Sequence, residues 1–593
     1  MNTFSDSIEW KSLFKNAIDW DTIIPLYYSS FPTPEGYKNK EEVIQAFDEL
    51  LTAMAEWSSN DLKNRARQLD LEGAGTLVDG KTVHGKALAA SYTDTYNLGL
   101  FNLFIDHKYG GMGMPTILAS LMFTHMFRYC LATGTQLSFV VSIADMIERF
   151  CGEEDRARLL PQFIDGKLSG AMCLTEPGSG SDLGSLRTSA KKQADGTYLI
   201  NGTKIFITNG GGGVCFVLGR IIGAPAGLEG ISMFLVEQKI PQNDLNYKVA
   251  KIEEKMGFHG SFTCELVFEN SVATLVGKEN EGFKYMLHLM NESRLGVGLQ
   301  CLGGMETALE YAKDYASTRI QFGKPVAELP LMKRNLTDWQ NELDAFRVLI
   351  LDTMSYYEIY QRLDLKKRHT NDLTEKETLL FKKAMKKVRR RTPLVKYYGS
   401  ETFTALTTKT IQVLGGYGYM KDYDAERFHR DSFAPLLYEG TSQIQALMAL
   451  KDVIKYLMKN PARYLKSLVG IHPLTNLLSP NESFADFKTV HYNFKKKFLF
   501  LILNTMKPQI NLRDLDQVTQ FFNSKSWNNQ ENIEKLMVHA ETLIQALSYI
   551  ETLRVLSVHS KNNPKYKKLF RDYHDLVYPR LQGIYSDWDL RTR

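Results

Sequence analysis

The chain is predicted to adopt a mainly α, α+β fold in which a β domain interrupts helical ones, and three stretches of its 593 residues carry that prediction. From Glu41 to about Gln162, beginning with Val43, Ala46, Phe47, Leu50 and Leu51, apolar residues recur at the helical period. Between about Gly170 and Gly282 the texture changes to short β-branched and aromatic runs separated by turn signals. After Glu281-Gly282 the helical period returns and persists. The division that follows is an N-terminal helical domain over 1–165, a middle β domain over 166–285, a helical domain over 286–455 and an additional C-terminal helical domain over 456–593.

Within the first part, Thr116 to Phe150 is apolar-rich with few breakers. Ahead of it, Tyr109-Gly110-Gly111-Met112-Gly113-Met114-Pro115 breaks one helix and starts the next. Strands are predicted at Tyr198-Leu199-Ile200, at Lys204 to Thr208, at Val214 to Leu218 and at Ser232 to Val236. Asp195-Gly196, Asn201-Gly202 and Asn209-Gly210 supply the turns. Pro393, Gly415-Gly416, Pro461, Pro473 and Pro508 punctuate the later helices. Ile533, Leu536, Met537, Ala540, Leu543, Ile544, Leu547 and Ile550 keep a helical stripe, which predicts a bundle packed on the rest.

Composition bounds the function. With 44% hydrophobic and 23% charged residues the chain reads as globular, and a net charge of +5 against 72 basic and 67 acidic residues names no nucleic-acid partner. Cys130, Cys151, Cys173, Cys215, Cys264 and Cys301 stand singly, which argues against a zinc site and against a disulfide framework. Met1 to Asp21 carries Asp6, Glu9 and Asp19 and no apolar stretch of signal length, so the expected location is cytoplasmic. The apolar run Phe498 to Leu503 is far short of the roughly 20 residues that span a bilayer. Membrane association is not expected.

Glu439 stands out, in Tyr438-Glu439-Gly440-Thr441-Ser442-Gln443-Ile444-Gln445, as a carboxylate among small hydrogen-bonding residues ahead of an apolar helix. A base that takes a proton from a bound substrate fits there. Cys173-Leu174-Thr175-Glu176-Pro177-Gly178-Ser179-Gly180-Ser181-Asp182 offers glycines, hydroxyls and backbone donors, which suit an anionic or polar ligand but equally an ordinary polar turn.

Their company decides between these readings. Phe206 to Gly210, Lys255-Met256-Gly257, Asn291 to Arg294, Arg319 to Lys324, Gln412 to Gly418, Arg430-Asp431 and Tyr438 to Gln445, in this order and approximate spacing, resemble the acyl-CoA dehydrogenase family over about residues 90–455. Tyr109 to Pro115, Phe206-Ile207-Thr208, Met256 to Ser261 and Met290 to Leu295 are similar to its large branch of roughly 600 residues, which has a C-terminal helical extension. The resemblance implies an N-terminal helical domain, a β-barrel-like middle domain and a helical bundle. It also implies a flavoprotein that uses FAD to oxidise an acyl-CoA thioester to the trans-2-enoyl-CoA, as in fatty acid β-oxidation. Glu439 is then the catalytic base, with hydride passing to flavin N5 and electrons to an electron-transfer flavoprotein.

Carried over residue by residue, the resemblance assigns Met172, Leu174, Thr175, Gly180, Ser181, Phe206 and Thr208 to the flavin ring and pyrophosphate. Arg319, Gln321, Phe322, Gln412, Gly415 and Gly416 go to the adenosine half across a subunit boundary, which implies a homodimer, and Thr441 and Gln443 are further FAD contacts. Ser181, Asn291, Arg294, Tyr438 and Gly440 fall on positions that hold the CoA thioester, and Asn291 stands where the medium-chain branch has aspartate. In a minority of the family the base immediately precedes the arginine matched by Arg294, where this chain has Ser293. Glu292, one residue off and about 100° around a helix, is expected to face elsewhere.

The acyl pocket is expected between the helix within Cys130 to Phe150 and the helix after Gly282, with Leu131, Thr133, Thr135, Leu137 and Val140 as candidates for its floor. An acyl-CoA oxidase that uses oxygen and a flavin-containing nucleic-acid-binding homologue are the alternatives. For the second, the basic run Lys382 to Arg391 is read as a solvated helix face or as charge that complements a partner subunit, and no nucleic acid is expected.

Overall fold

The computed structural model describes residues 2–242, 245–459, 461–476, 482–506, 530–561 and 563–592, and the predicted break at Pro508 lies outside them. The helical part that opens the chain includes α1 (Lys40–Trp57), α2 (Thr116–Phe127) and α3 (Leu131–Phe150). Every residue of α2 from Ile117 to Phe127 except Ser120 is buried, because this helix is enclosed rather than laid on a surface. The purely helical reading of this part misses a hairpin, Gly75–Val78 with Lys81–His84, turned at Asp79-Gly80 with φ of 48° and 76°. That pair of left-handed residues is the signature of a two-residue hairpin turn, and it was present in the sequence.

The β part contains β1 (Ser169–Cys173), β2 (Ser189–Lys192), β3 (Tyr198–Thr208), β4 (Gly213–Ile221), β5 (Ile231–Glu237), β6 (Lys248–Ile252) and β7 (Thr263–Leu275). Five strands pair in a closed ring, β4 to β2 to β3 to β7 to β5 and back to β4, with β1 added beside β4 and β6 beside β7. Closure leaves no open edge among the ring strands, which is how a small barrel protects its backbone groups. Asn201-Gly202 is not a turn. The two residues lie inside the single strand β3 at a register shift, where a side chain at Gly202 would come within 2.4 Å of Thr188 Oγ1.

Three long helices follow: α4 (Gly282–Thr318), α5 (Pro330–Thr370) and α6 (Glu375–Leu414). A capping box of Thr374 and Glu377 starts α6, and Gly415 at φ 65° ends it. The helix runs unbroken through Pro393, against the expectation that this proline is a boundary. Residues 391 to 396 are all buried, and that packing holds both halves on one axis.

Beyond α7 (Ala425–Ser432) and α8 (Ser442–Lys459) come α9 (Glu482–Met506), α10 (Ala540–His559) and α11 (Pro564–Arg591). Leu536, Ala540, Leu543, Ile544 and Ile550 of the predicted stripe are buried, whereas Met537 is exposed at the break before α10. These last helices dock on α5 and α6. Tyr573 meets Tyr398 at 2.9 Å, Arg580 donates to Glu342 at 2.8 Å, and Arg391 donates to Glu551 at 2.8 Å. The basic run is thereby partly accounted for inside the molecule, since Arg389 also pairs with Asp452 and Arg390 with Glu551.

Candidate active site

A cavity of about 1050 Å³ opens where the barrel meets α2, α3, α4 and the loop ahead of α8. Its β side is built by two segments that the fold ties together. Ile205 N donates to Thr175 O at 2.9 Å, and Lys204 Nζ donates to Glu176 Oε1 at 2.8 Å, so β3 holds the turn after β1. Burial alone would raise the Glu176 carboxyl, and the Lys204 ammonium overcomes it and holds that carboxyl below its ordinary value. The turn itself is closed by reciprocal backbone bonds between Glu176 and Ser179.

Phe206 occupies a β-bulge in β3, between the pairs Lys204–Leu266 and Ile207–Cys264, with φ of 61°. An extra residue at this point turns the side chain out of the strand, and Phe206 stands 62% exposed on the cavity wall. An exposed aromatic ring held by a strained backbone suits a flat partner that stacks on it. Nearby, a side chain at Gly178 would meet nothing within 4 Å and one at Gly180 only Thr175 Cγ2 at 3.9 Å, so the turn leaves its backbone open to a phosphate-bearing ligand. Met172, Leu174, Thr175, Gly180, Ser181 and Thr208 share this wall.

The other side belongs to the Glu439 loop. Glu439 at φ 58° and Gly440 at φ 90° reverse the chain between the short helix Ala434–Leu437 and α8. A left-handed glutamate costs about 1–3 kcal/mol and persists only where its surroundings over-determine it. Here they do: Glu439 O accepts from Arg294 Nε at 3.0 Å and from Gln445 Nε2 at 2.9 Å, and Gly440 O accepts from the same amide at 3.1 Å. Tyr438, one residue earlier, donates its hydroxyl to Gln300, which donates in turn to Thr135 at 2.9 Å.

Burial pushes the Glu439 carboxyl up to about 7, and Arg294 and then Lys396 pull against that rise. Lys396, on α6, is itself pushed down to about 8 by burial and donates to Leu436 O at 3.2 Å. It was not singled out from the sequence, although a lysine in the apolar run Leu394-Val395-Lys396-Tyr397-Tyr398 was a visible signal. Two further predicted segments meet here. Asp431 Oδ1 accepts from Phe258 N at 2.7 Å and Arg430 donates to Met256 O at 3.3 Å, which joins Lys255-Met256-Gly257 to the segment ahead of Glu439.

Thus the cavity gathers Met172, Leu174, Thr175, Gly180, Ser181, Phe206, Thr208, Arg294, Tyr438, Glu439, Gly440 and Thr441. Asn291 is linked at one remove, its Oδ1 accepting from Arg294 at 3.1 Å. Gln443 faces outward from α8. Arg319, Gln321, Phe322, Gln412, Gly415 and Gly416 lie outside the cavity on an exposed surface, where the Arg319 guanidinium sits 5.7 Å from the Tyr417 ring and Phe322 is 90% exposed.

Two expectations are corrected. Thr135 lines the cavity, but Leu131, Thr133, Leu137 and Val140 are buried in the core. The cavity-facing side of α3 is instead Thr135, Ser138, Phe139, Val141 and Ser142, a rotation that spacing alone did not fix. Glu292 does not turn away, for the cavity wraps around α4 far enough to include it. Its carboxylate accepts from Ser142 Oγ at 3.1 Å and Tyr357 OH at 3.2 Å.

Acyl-CoA dehydrogenase domain models match three successive parts of the chain: the N-terminal domain over residues 48–167, the middle domain over 171–271 and the C-terminal domain over 280–454. An acyl-CoA dehydrogenase of Bacillus subtilis (strain 168) is 36% identical over 364 residues, which covers 61% of this chain and 87% of that protein. The chain belongs to the acyl-CoA dehydrogenase family. It is therefore an enzyme of an oxidoreductase family whose members bind FAD. The butyryl-CoA dehydrogenase of Megasphaera elsdenii superposes with a TM-score of 0.58 at 28% identity over 69% of this chain and 98% of its own. An acyl-CoA dehydrogenase of Bacillus anthracis, determined in complex with FAD, matches 98% of this chain and 91% of its own with a TM-score of 0.74 at 21% identity, a likeness of fold that takes in the C-terminal helices. Among the described residues, no helix is long and apolar enough to cross a membrane.

Proposed function

We propose that this enzyme dehydrogenates an acyl-CoA thioester to the trans-2-enoyl-CoA with FAD as cofactor and Glu439 as base. The observation that carries the reading is a carboxyl pushed up to about 7, on a residue held at a left-handed φ of 58°, on the wall of the same cavity as the outturned Phe206. A proton beside a thioester carbonyl is weakly acidic, so its removal calls for a base whose basicity approaches the working pH and whose position is fixed. Burial supplies the first, and Arg294 and Gln445 supply the second through the Glu439 carbonyl.

FAD, when bound, supplies the acceptor for the hydride that leaves the β carbon. Phe206, Met172 and Thr208 shape the wall for its ring, and the Thr175 to Ser181 turn presents backbone to its phosphates. Arg294, Tyr438 and Gly440 bracket the thioester beside Glu439, and the helices exclude water from the chain. Electrons pass on to an electron-transfer flavoprotein. The exposed surface of Arg319, Gln321, Phe322, Gln412, Gly415 and Gly416 is covered by a second copy and meets the adenosine half of that copy's FAD.

Glu439→Gln keeps the shape and removes the base. The purified yellow variant should reduce its flavin with acyl-CoA roughly 100- to 10,000-fold more slowly than the parent under anaerobic stopped flow. An unchanged rate sinks the assignment, and hydrogen peroxide production during turnover without another acceptor identifies an oxidase instead.

A further inference from the structure

The helical end of the cavity is more polar than an alkyl chain requires. Ala119 and Phe123 of α2, Phe139 of α3 and Met354 of α5 supply apolar wall, yet Ser142, Glu292 and Tyr357 stand among them. Glu292 is the group that needs explanation. Its Oε1 accepts from Ser142 Oγ at 3.1 Å and its Oε2 from Tyr357 OH at 3.2 Å, so three helices aim hydrogen-bonding groups at one point on the cavity wall.

Glu292 is not needed to balance a neighbouring charge. Behind it, Arg149 is answered by Asp145 at 2.8 Å and Asp364 at 3.3 Å, and Asp145 also receives His288 at 3.3 Å. Asp145, His288 and Glu292 offer ligand atoms within 4.8 Å of one another, but the charge of Asp145 in that group is already answered by Arg149. Burial and then Asp145 push the Glu292 carboxyl up to about 8, with Arg149 pulling the other way, which favours the protonated form that can donate as well as accept. A plain alkyl end laid against it would strip its hydration and return no bond.

We propose that this pocket takes acyl-CoA chains that carry a neutral hydrogen-bonding group, a hydroxyl or carbonyl oxygen, towards their distal end, received by Glu292, Tyr357 and Ser142. A neutral group fits better than a charged one, because the charges behind Glu292 already answer one another and leave no counter-ion for a charged tail. The inference rests on the acyl-CoA dehydrogenase reading and specifies its substrate class.

The test pairs unsubstituted acyl-CoAs with their ω-hydroxy counterparts at each even length from four to twelve carbons. Anaerobic flavin reduction is measured on the parent enzyme, and calorimetric affinity on Glu439→Gln, where no turnover intervenes. At one or more lengths the ω-hydroxy chain should win by about tenfold or more in both measurements, because a site built to bond a hydroxyl rejects the analogue that lacks it. Glu292→Leu should reverse that preference, while Glu292→Gln, which can still donate and accept, should keep most of it. Equal or better performance of the unsubstituted chain at every length overturns the inference and leaves the dehydrogenase reading intact. So does a preference that survives Glu292→Leu. Reduction by neither series, with no binding of either, overturns both.

Discussion

At Glu439 two demands meet that ordinary side chains satisfy separately, a carboxylate that holds a proton near neutral pH and a backbone that cannot drift. The first comes from burial, moderated by Arg294 and Lys396; the second comes from two side chains that grip the residue by its carbonyl and so leave its carboxyl free to react. The proposed base works as the anion and its folded-state value lies near 7, so kcat/KM should rise with pH up to about 7 and level above it. A pH profile on the parent should show that limb, and Lys396→Met should move it upward by removing one of the cations that favour the anion. The left-handed φ at Glu439 was not legible in the sequence, since only glycine announces such a conformation and the glycine there is the next residue.

Among the elements, β3 shows what pattern reading captures and what it loses. Its two apolar runs were both visible, but the Asn201-Gly202 between them looks the same whether it turns a hairpin or opens a bulge. Only the approach of Thr188 distinguishes the cases. The helix α3 was legible as a helix because its period is strong, whereas its rotation was not. Polar Ser138 and Ser142 face the cavity and apolar Leu137 and Val140 face the core, the arrangement of an outward-facing helix turned around a hollow. Glu292 escaped for a related reason: a helix lining a wide cavity presents more than one face to it. The bulge at Phe206 carries its own prediction. Phe206→Ala keeps the strand but removes the exposed ring, so flavin retained per chain after gel filtration should fall, while thermal stability of the flavin-free protein should change little because the ring is 62% exposed.

Over the whole molecule, the catalytic core and the C-terminal helices are joined by buried charge. The Arg391 side chain is 2% exposed and that of Glu551 4%. Burial works to raise the Glu551 carboxyl, and Arg554, Arg390 and Arg391 overcome it and hold it far below the usual range. Removing one side of such a group strands the other. Glu551→Gln should cost about 3–5 kcal/mol in denaturant unfolding at pH 7. A depressed carboxyl stabilises the fold above its unfolded value and loses that contribution as pH falls through its folded one, so the difference between parent and variant should shrink below about pH 4.5. The exposed surface around Arg319 makes a separate prediction. Ile320, Phe322, Tyr417, Tyr419 and Met420 expose apolar surface together with the Arg319 segment, which a second copy would cover. Phe322→Asp should lower the mass found by sedimentation and the flavin content together.

The pairing of Arg391 with Glu551 also has a consequence for biosynthesis. The two residues are 160 positions apart, so at about 5–20 residues per second the guanidinium is made roughly 8–32 s before its carboxylate exists. Through that interval it stays hydrated, and the outer faces of α5 and α6 stay uncovered. The nascent enzyme can assemble its barrel and its reacting groups before this layer of helices is made, and the layer closes only after Glu551 has followed.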